Sequence, residues 1–256
     1  MKKITLCATL LALFFMTSCQ KENVQEENKS MSAEQKENWL TAKLDAKFAS
    51  SQKKVTAYLF PIDEMRALVK TPNISEVRFI LGYEDHTIQI SIVGVDKSGK
   101  ELGFVNSNLL KEPGYEEKLS RLTELSVSTT ERRSEVVEEH LLFPKDAFAG
   151  IEAWQEKLNS VTDLDEVTSY EGARFYHFSL EAEVIAAMVE NENIANIGLF
   201  FGLNPKGKVT TILIGLDKNN AVRELTEGIR ADIHIAVSIF DGVRPCPPYG
   251  DCKSSN

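Results

Sequence analysis

Four histidines, His86, His140, His177 and His234, are the side chains best suited to acid-base or metal chemistry near neutral pH. None stands at metal-ligand spacing from another His or Cys, so any site built from them must be assembled by the fold. His86, beside Asp85 in a predicted hairpin loop, is the most exposed of the four. The stretch Gly94-Val95-Asp96-Lys97-Ser98-Gly99-Lys100 has the glycine and lysine spacing of a phosphate-binding loop after a strand. Its next residue, however, is Glu101, where Ser or Thr would hold magnesium. It reads as a tight turn, and no nucleotide is expected. Neither G-x-S-x-G nor H-E-x-x-H occurs. Acidic pairs such as Asp163 with Asp165, or Glu138 with Glu139, lack the order of a calcium loop and read as solvated surface in a chain with 38 acids. The motifs therefore name no catalytic residue, no metal ligand and no cofactor.

The four cysteines say more. The chain opens with Lys2 and Lys3, runs apolar over residues 4–16, and narrows to Thr17 and Ser18, the three parts of a secretory signal peptide over residues 1–18. This run is shorter than the roughly 20 apolar residues that a membrane-spanning helix needs. The cleavage zone Met16-Thr17-Ser18-Cys19 resembles the bacterial lipobox, with Met16 where Leu is usual. That resemblance implies acylation of Cys19 and a palmitate-type anchor in the bilayer. Residues 19–31 are nearly all polar and are expected to form a disordered tether. Within them Lys21-Glu22 is similar to the surface-export signal of Bacteroidota lipoproteins, which points to an outer-membrane lipoprotein facing outward. Cys7 leaves with the signal peptide, so Cys246 and Cys252 remain, with five residues between them that include two stiffening prolines. In an oxidising compartment they are expected to form one disulfide pinning the tail over residues 246–256, exposed reactive thiols being the other reading.

Lipobox, strand ends of the type Gly94-Val95-Asp96-Lys97, and the tail Ile239-Phe240-Asp241 followed by Arg244-Pro245-Cys246-Pro247-Pro248 resemble a group of small flavobacterial-type lipoproteins of Bacteroidota, the second half of the chain best of all. That resemblance implies an envelope address and carries no activity with it.

Any site in this chain must be positioned by the roughly 225 residues after the tether, one large domain or two small ones. Removing residues 1–18 takes away two lysines and no acids, leaving 27 basic against 38 acidic residues and a formal charge of −11. Such a surface repels nucleic acid. An internal similarity organises the rest. The two tryptophans, Trp39 and Trp154, lie 115 residues apart in similar helical contexts. Phe60 then matches Phe178, Asn73-Ile74 matches Asn193-Ile194, Gly82 matches Gly202 and Gly94 matches Gly215, at offsets growing from 118 to 121. Periodicity gives each unit the order helix, strand, helix, hairpin, over residues 32–143 and 144–245. The first helix carries a capping box at Ser32 and Gln35, and Asp146 is the expected cap of its counterpart. Hairpins are expected over 77–95 and 197–216, and an alternating strand over 230–239. The predicted fold class is α+β, two related helix-strand-helix-hairpin units with helices covering one face of mainly antiparallel sheet.

The leading functional expectation is a non-catalytic binding or structural module with a protein or glycan partner. Its rivals are an envelope enzyme with a site assembled between the two units, and an immunity or inhibitor lipoprotein whose acidic surface suits a basic target. Matched positions are core and turn residues, so a ligand site is expected where the units differ. The hairpin tips differ most: Asp85 and His86 in one, Lys206 and Lys208 in the other.

Overall fold

The computed structural model describes residues 30–125, 133–222, 239–241 and 244–249. Its fold is α+β, with two five-stranded antiparallel sheets and one short two-stranded sheet.

The first half begins with α1 (Ala33–Thr41) and α2 (Ala46–Gln52). Ser32 and Gln35 form the expected capping box, and Asp45 caps α2 by accepting from the backbone N–H groups of Lys47 and Phe48. Those two bonds favour the charged form and hold the Asp45 carboxyl below its usual range. Strand β1 (Ala57–Pro61) leads directly into α3 (Ile62–Val69), with Pro61 supplying the extended backbone that precedes the first turn. The hairpin of β2 (Glu76–Glu84) and β3 (Thr87–Val95) follows, then β4 (Glu101–Asn106) and β5 (Asn108–Leu110). Buried Gln52 ties three of these elements: its amide donates to the Tyr58 hydroxyl at 3.0 Å, and its carbonyl accepts from Ile88 N at 3.0 Å.

A connection holds α4 (Glu116–Ser120), a 3₁₀ turn (Arg121–Glu124) and α5 (Glu135–Glu139), with Tyr115, Leu119 and Leu122 buried. The second half starts with α6 (Pro144–Ser160), whose first turn is set by Pro144 after Phe143; Asp146 lies inside it and is not its cap. Next come α7 (Leu164–Val167), the short pair β6 (Ser169–Tyr170) and β7 (Ala173–Arg174), then β8 (His177–Glu181), α8 (Ala182–Val189) and the hairpin of β9 (Asn196–Leu203) and β10 (Val209–Leu216). The chain ends in β11 (Ile239–Phe240) and β12 (Arg244–Cys246). Most of the alternating strand expected over 230–239 lies outside the described residues.

In each half a strand leads into a helix and then a hairpin, with the extra α7 and the β6–β7 pair only in the second, and α3 and α8 begin 120 residues apart. That spacing sets Phe60 against Leu180, not against Phe178 as the sequence comparison has it; the two phenylalanines are two residues out of register. The sheets mix the halves. One has the order β11-β10-β9-β1-β5 and the other β12-β8-β2-β3-β4. Between them, Phe60, Phe79, Ile92, Phe178, Leu180 and Leu199 are all fully buried in one apolar cluster. A second cluster beyond the first sheet joins Phe200, Ile212 and Ile214 to Ala147 and Ile151 of α6 and to Leu122. Every residue of β10 is buried, which means that both faces of that sheet are covered there.

Candidate functional site

The tip of the first hairpin is two residues long. Asp85 and His86 both have positive φ, 49° and 58°, the backbone geometry of a tight turn whose twist matches the strands it joins. That turn holds the tip close against α1. Gln35 makes the junction: it closes the helix cap with Ser32, and its amide donates to a Glu84 carboxylate oxygen at 3.0 Å.

Between α1 and the tip runs an open groove of about 660 Å³. Ser32, Gln35, Asn38 and Thr41 line one wall; Tyr83, Glu84, Asp85 and His86 line the other. Its floor is aromatic at one end, where the Tyr83 ring lies 6.1 Å from Phe48 and meets His86 edge-on at 6.4 Å. Burial, then the negative charge of Asp45, push the Tyr83 phenol above its usual pKa, with Arg174 opposing, so Tyr83 keeps its proton and can donate it to a hydrogen bond. The lining holds carboxylates, amides, hydroxyls and two rings, and no Lys or Arg. The Tyr83 hydroxyl lies 3.4 Å from His86 Nδ1, and such a surface can bind by hydrogen bonding and ring contact.

The second tip is built differently. The Asn204 side chain accepts from Lys206 N at 3.0 Å and Lys208 N at 3.1 Å, folding the loop back on itself. Lys208 then donates to the Glu166 carbonyl at 2.7 Å, clasping the tip to α7, while Lys206 stays exposed. The groove that Asp85 and His86 line includes neither lysine. A packing difference accompanies this. On β9, a Cβ at Gly202 would stand 3.2 Å from the backbone of Gly150 in α6, whereas at Gly82 on β2 it would meet the side chains of Met31 and Gln35. Helix backbone closes on the sheet in the second half, and side chains hold it off in the first.

The other sequence candidates have structural work. Asp96 accepts from Ser98 N at 2.8 Å and Lys100 N at 3.0 Å, so the phosphate-loop look-alike spends its backbone donors on its own turn. Asp165 pairs with Arg174, and Asp163 lies 3.8 Å from Lys157. His177 is buried on β8, where desolvation, then the nearby charge of Arg78, lower its pKa from 6.5 to about 4. His140 has Nε2 2.9 Å from a Glu181 carboxylate oxygen and Nδ1 3.0 Å from the Asp241 carbonyl, and Glu181 also binds Arg244. Cys246 is fully buried. Cys19, His234 and Cys252 lie outside the described residues. Among the described residues no group of three or more His, Cys, Asp or Glu side chains is placed to hold a metal ion, and no helix is long and apolar enough to cross a membrane.

Sequence reading missed Gln35 as a wall of the groove and Arg174 as an anchor of its helix. Arg174 donates to the carbonyls of Trp39 and Ala42, each at 2.8 Å, and lies over the Trp39 ring. No local pattern announces a bond between residues 135 positions apart.

Fold and groove together define an α+β protein of two antiparallel sheets with a polar cleft at one hairpin tip. Comparison with protein-family models, with curated proteins and with solved structures finds no match to this chain.

Proposed function

We propose that this protein is a lipid-anchored envelope lipoprotein that acts as a non-catalytic binding module, and that the groove between α1 and the β2–β3 tip takes a neutral glycan segment. The groove carries this reading. Its volume of about 660 Å³ falls in the range of small-ligand clefts. Paired amide and carboxylate groups suit the donor and acceptor pairs of sugar hydroxyls, and the rings of Tyr83 and His86 offer apolar faces to sugar C–H groups. Absence of Lys and Arg from the lining, with a mature charge of −11, disfavours an acidic sugar.

The anchor reading rests on Met16-Thr17-Ser18-Cys19 at the end of the apolar run. The tether joins the domain beside the groove, because the Ser30 carbonyl accepts from the Ser91 hydroxyl just before Ser32 opens the wall. Burial of Cys246 on β12 supports a disulfide to Cys252 that fixes the tail. The two halves read as copies of one unit that diverged at the tips.

Calorimetric titration of the mature domain with chitotriose and with maltotriose tests the binding claim. Binding of either that is weakened at least tenfold by Asn38→Ala with His86→Ala is the expected result. Heats indistinguishable from dilution for both sugars up to millimolar concentration would end the glycan reading.

A further inference from the structure

We infer that the two halves of this chain are interlocked by a reciprocal exchange of strands, led by β1 and β8, so that each half is completed only by the other and neither is an independent binding unit. This does not depend on the glycan reading.

The exchange is visible in the pairing. Strand β1 of the first half does not join its own hairpin; it pairs with β9 of the second, Tyr58 opposite Leu199 and Phe60 opposite Ile197. Strand β8 of the second half pairs with β2 of the first, Phe178 opposite Phe79 and Leu180 opposite Val77. The flanking bonds are reciprocal too. Ile62 N donates to the Ala195 carbonyl at 3.0 Å, and Ala182 N, 120 residues further on, donates to the Ser75 carbonyl at 3.1 Å. Each sheet therefore takes a hairpin from one half and two strands from the other, β1 and β5 in one sheet and β8 and β12 in the other.

Removing either half would strip the partner strand from the other's hairpin and open a long, apolar edge, a form that invites mispairing and aggregation. It would also break the core between the sheets, where both halves contribute fully buried side chains. Closure within one chain is favoured by the connection over residues 111–143, which holds the second half at an effective concentration of about millimolar around the first. The groove inherits this dependence: α1, its wall, is held by the Trp39 indole N–H donating at 2.6 Å to the carbonyl of Phe175 in the second half.

The test uses the full mature chain with residues 126–132 replaced by a site-specific protease sequence of equal length. It is cut after folding, and complete cleavage is confirmed on a denaturing gel. Each half then carries a single tryptophan, Trp39 or Trp154, so fluorescence reports on both. The cut halves should elute together at the volume of the uncut chain, separate only in denaturant, and regain the native spectrum only when both are present on refolding. Hydrogen exchange on the uncut, unsubstituted chain provides a reading free of any variant: the most protected amides of β1, β2, β8 and β9 should share one global opening. Halves that separate in native buffer, or that open with distinct free energies, would overturn the exchange as the basis of stability.

Discussion

The Trp39 indole N–H donates to the Phe175 carbonyl at 2.6 Å, and the Arg174 guanidinium lies 5.0 Å from the centre of the same indole ring. Two consecutive residues of the second half thus hold the helix that forms one wall of the groove in the first. Trp39→Phe keeps most of the ring and loses the donor, leaving a buried carbonyl unpaired. It should cost about 1–3 kcal/mol, read as a lower urea midpoint with an unchanged slope. A midpoint equal to that of the parent would show that the bond contributes nothing net.

His177 predicts how stability varies with pH. Its folded pKa of about 4 is depressed from 6.5, so the folded state disfavours the charged ring. Stability is complete above pH 6.5, falls as the unfolded chain takes up a proton below that, and levels off near pH 4. The loss is on the order of 3 kcal/mol. His177→Gln should flatten the difference between urea midpoints at pH 7.5 and pH 4.5 relative to the parent. An identical difference in both proteins would assign the acid sensitivity elsewhere.

Gly202 is predicted to be intolerant of a side chain. A Cβ there would stand 2.5 Å from the Ile212 side chain and 3.2 Å from the backbone of Gly150, and only the first of these neighbours can move cheaply. Gly202→Val should destabilise by about 1–3 kcal/mol or more through overpacking. Gly82→Ala, which meets the side chains of Met31 and Gln35, should cost less and disturb the groove wall instead. Thermal melts of the two variants give the comparison, and equal losses would contradict the packing difference between the halves.

The cysteines make a prediction that needs no structure of the ends. Cys19→Ser should abolish labelling by a palmitate analogue and release the protein from membranes. In the mature, unreduced parent no thiol should react with an alkylating agent. Reduction should loosen the tail at a cost of about 2–3 kcal/mol while the core persists, since the closed loop is short. A membrane-bound, labelled Cys19→Ser protein, or two reactive thiols in the parent, would refute these assignments separately.

How much of this was legible in the sequence depends on the range over which each signal acts. The capping box at Ser32 and Gln35, the paired hairpins and the turn at Asp96 are local, and the residues that build them lie within a few positions of one another. The α+β class follows from those patterns. Strand order does not: β1 pairing with β9 joins residues about 140 positions apart, and the apolar run of β1 would suit either hairpin. The two-residue slip between Phe60 and Phe178 has the same origin, since two phenylalanines on similar strands match by type whether or not they match by position. Asp85 and His86 were recognisable because a hairpin tip is a local feature. The other wall of their groove, Gln35 and Asn38, is brought in by tertiary packing alone, and the clasp of Lys208 on Glu166 likewise required the fold.

The binding claim itself meets its most direct test in amide chemical-shift mapping of the isotopically labelled mature domain titrated with chitotriose and maltotriose. The account predicts that the largest shifts fall on Gln35, Asn38, Tyr83, Asp85 and His86, with the Asn204 to Lys208 tip unmoved. Shifts centred on Lys206 and Lys208, or no shift above noise at millimolar sugar, would contradict it.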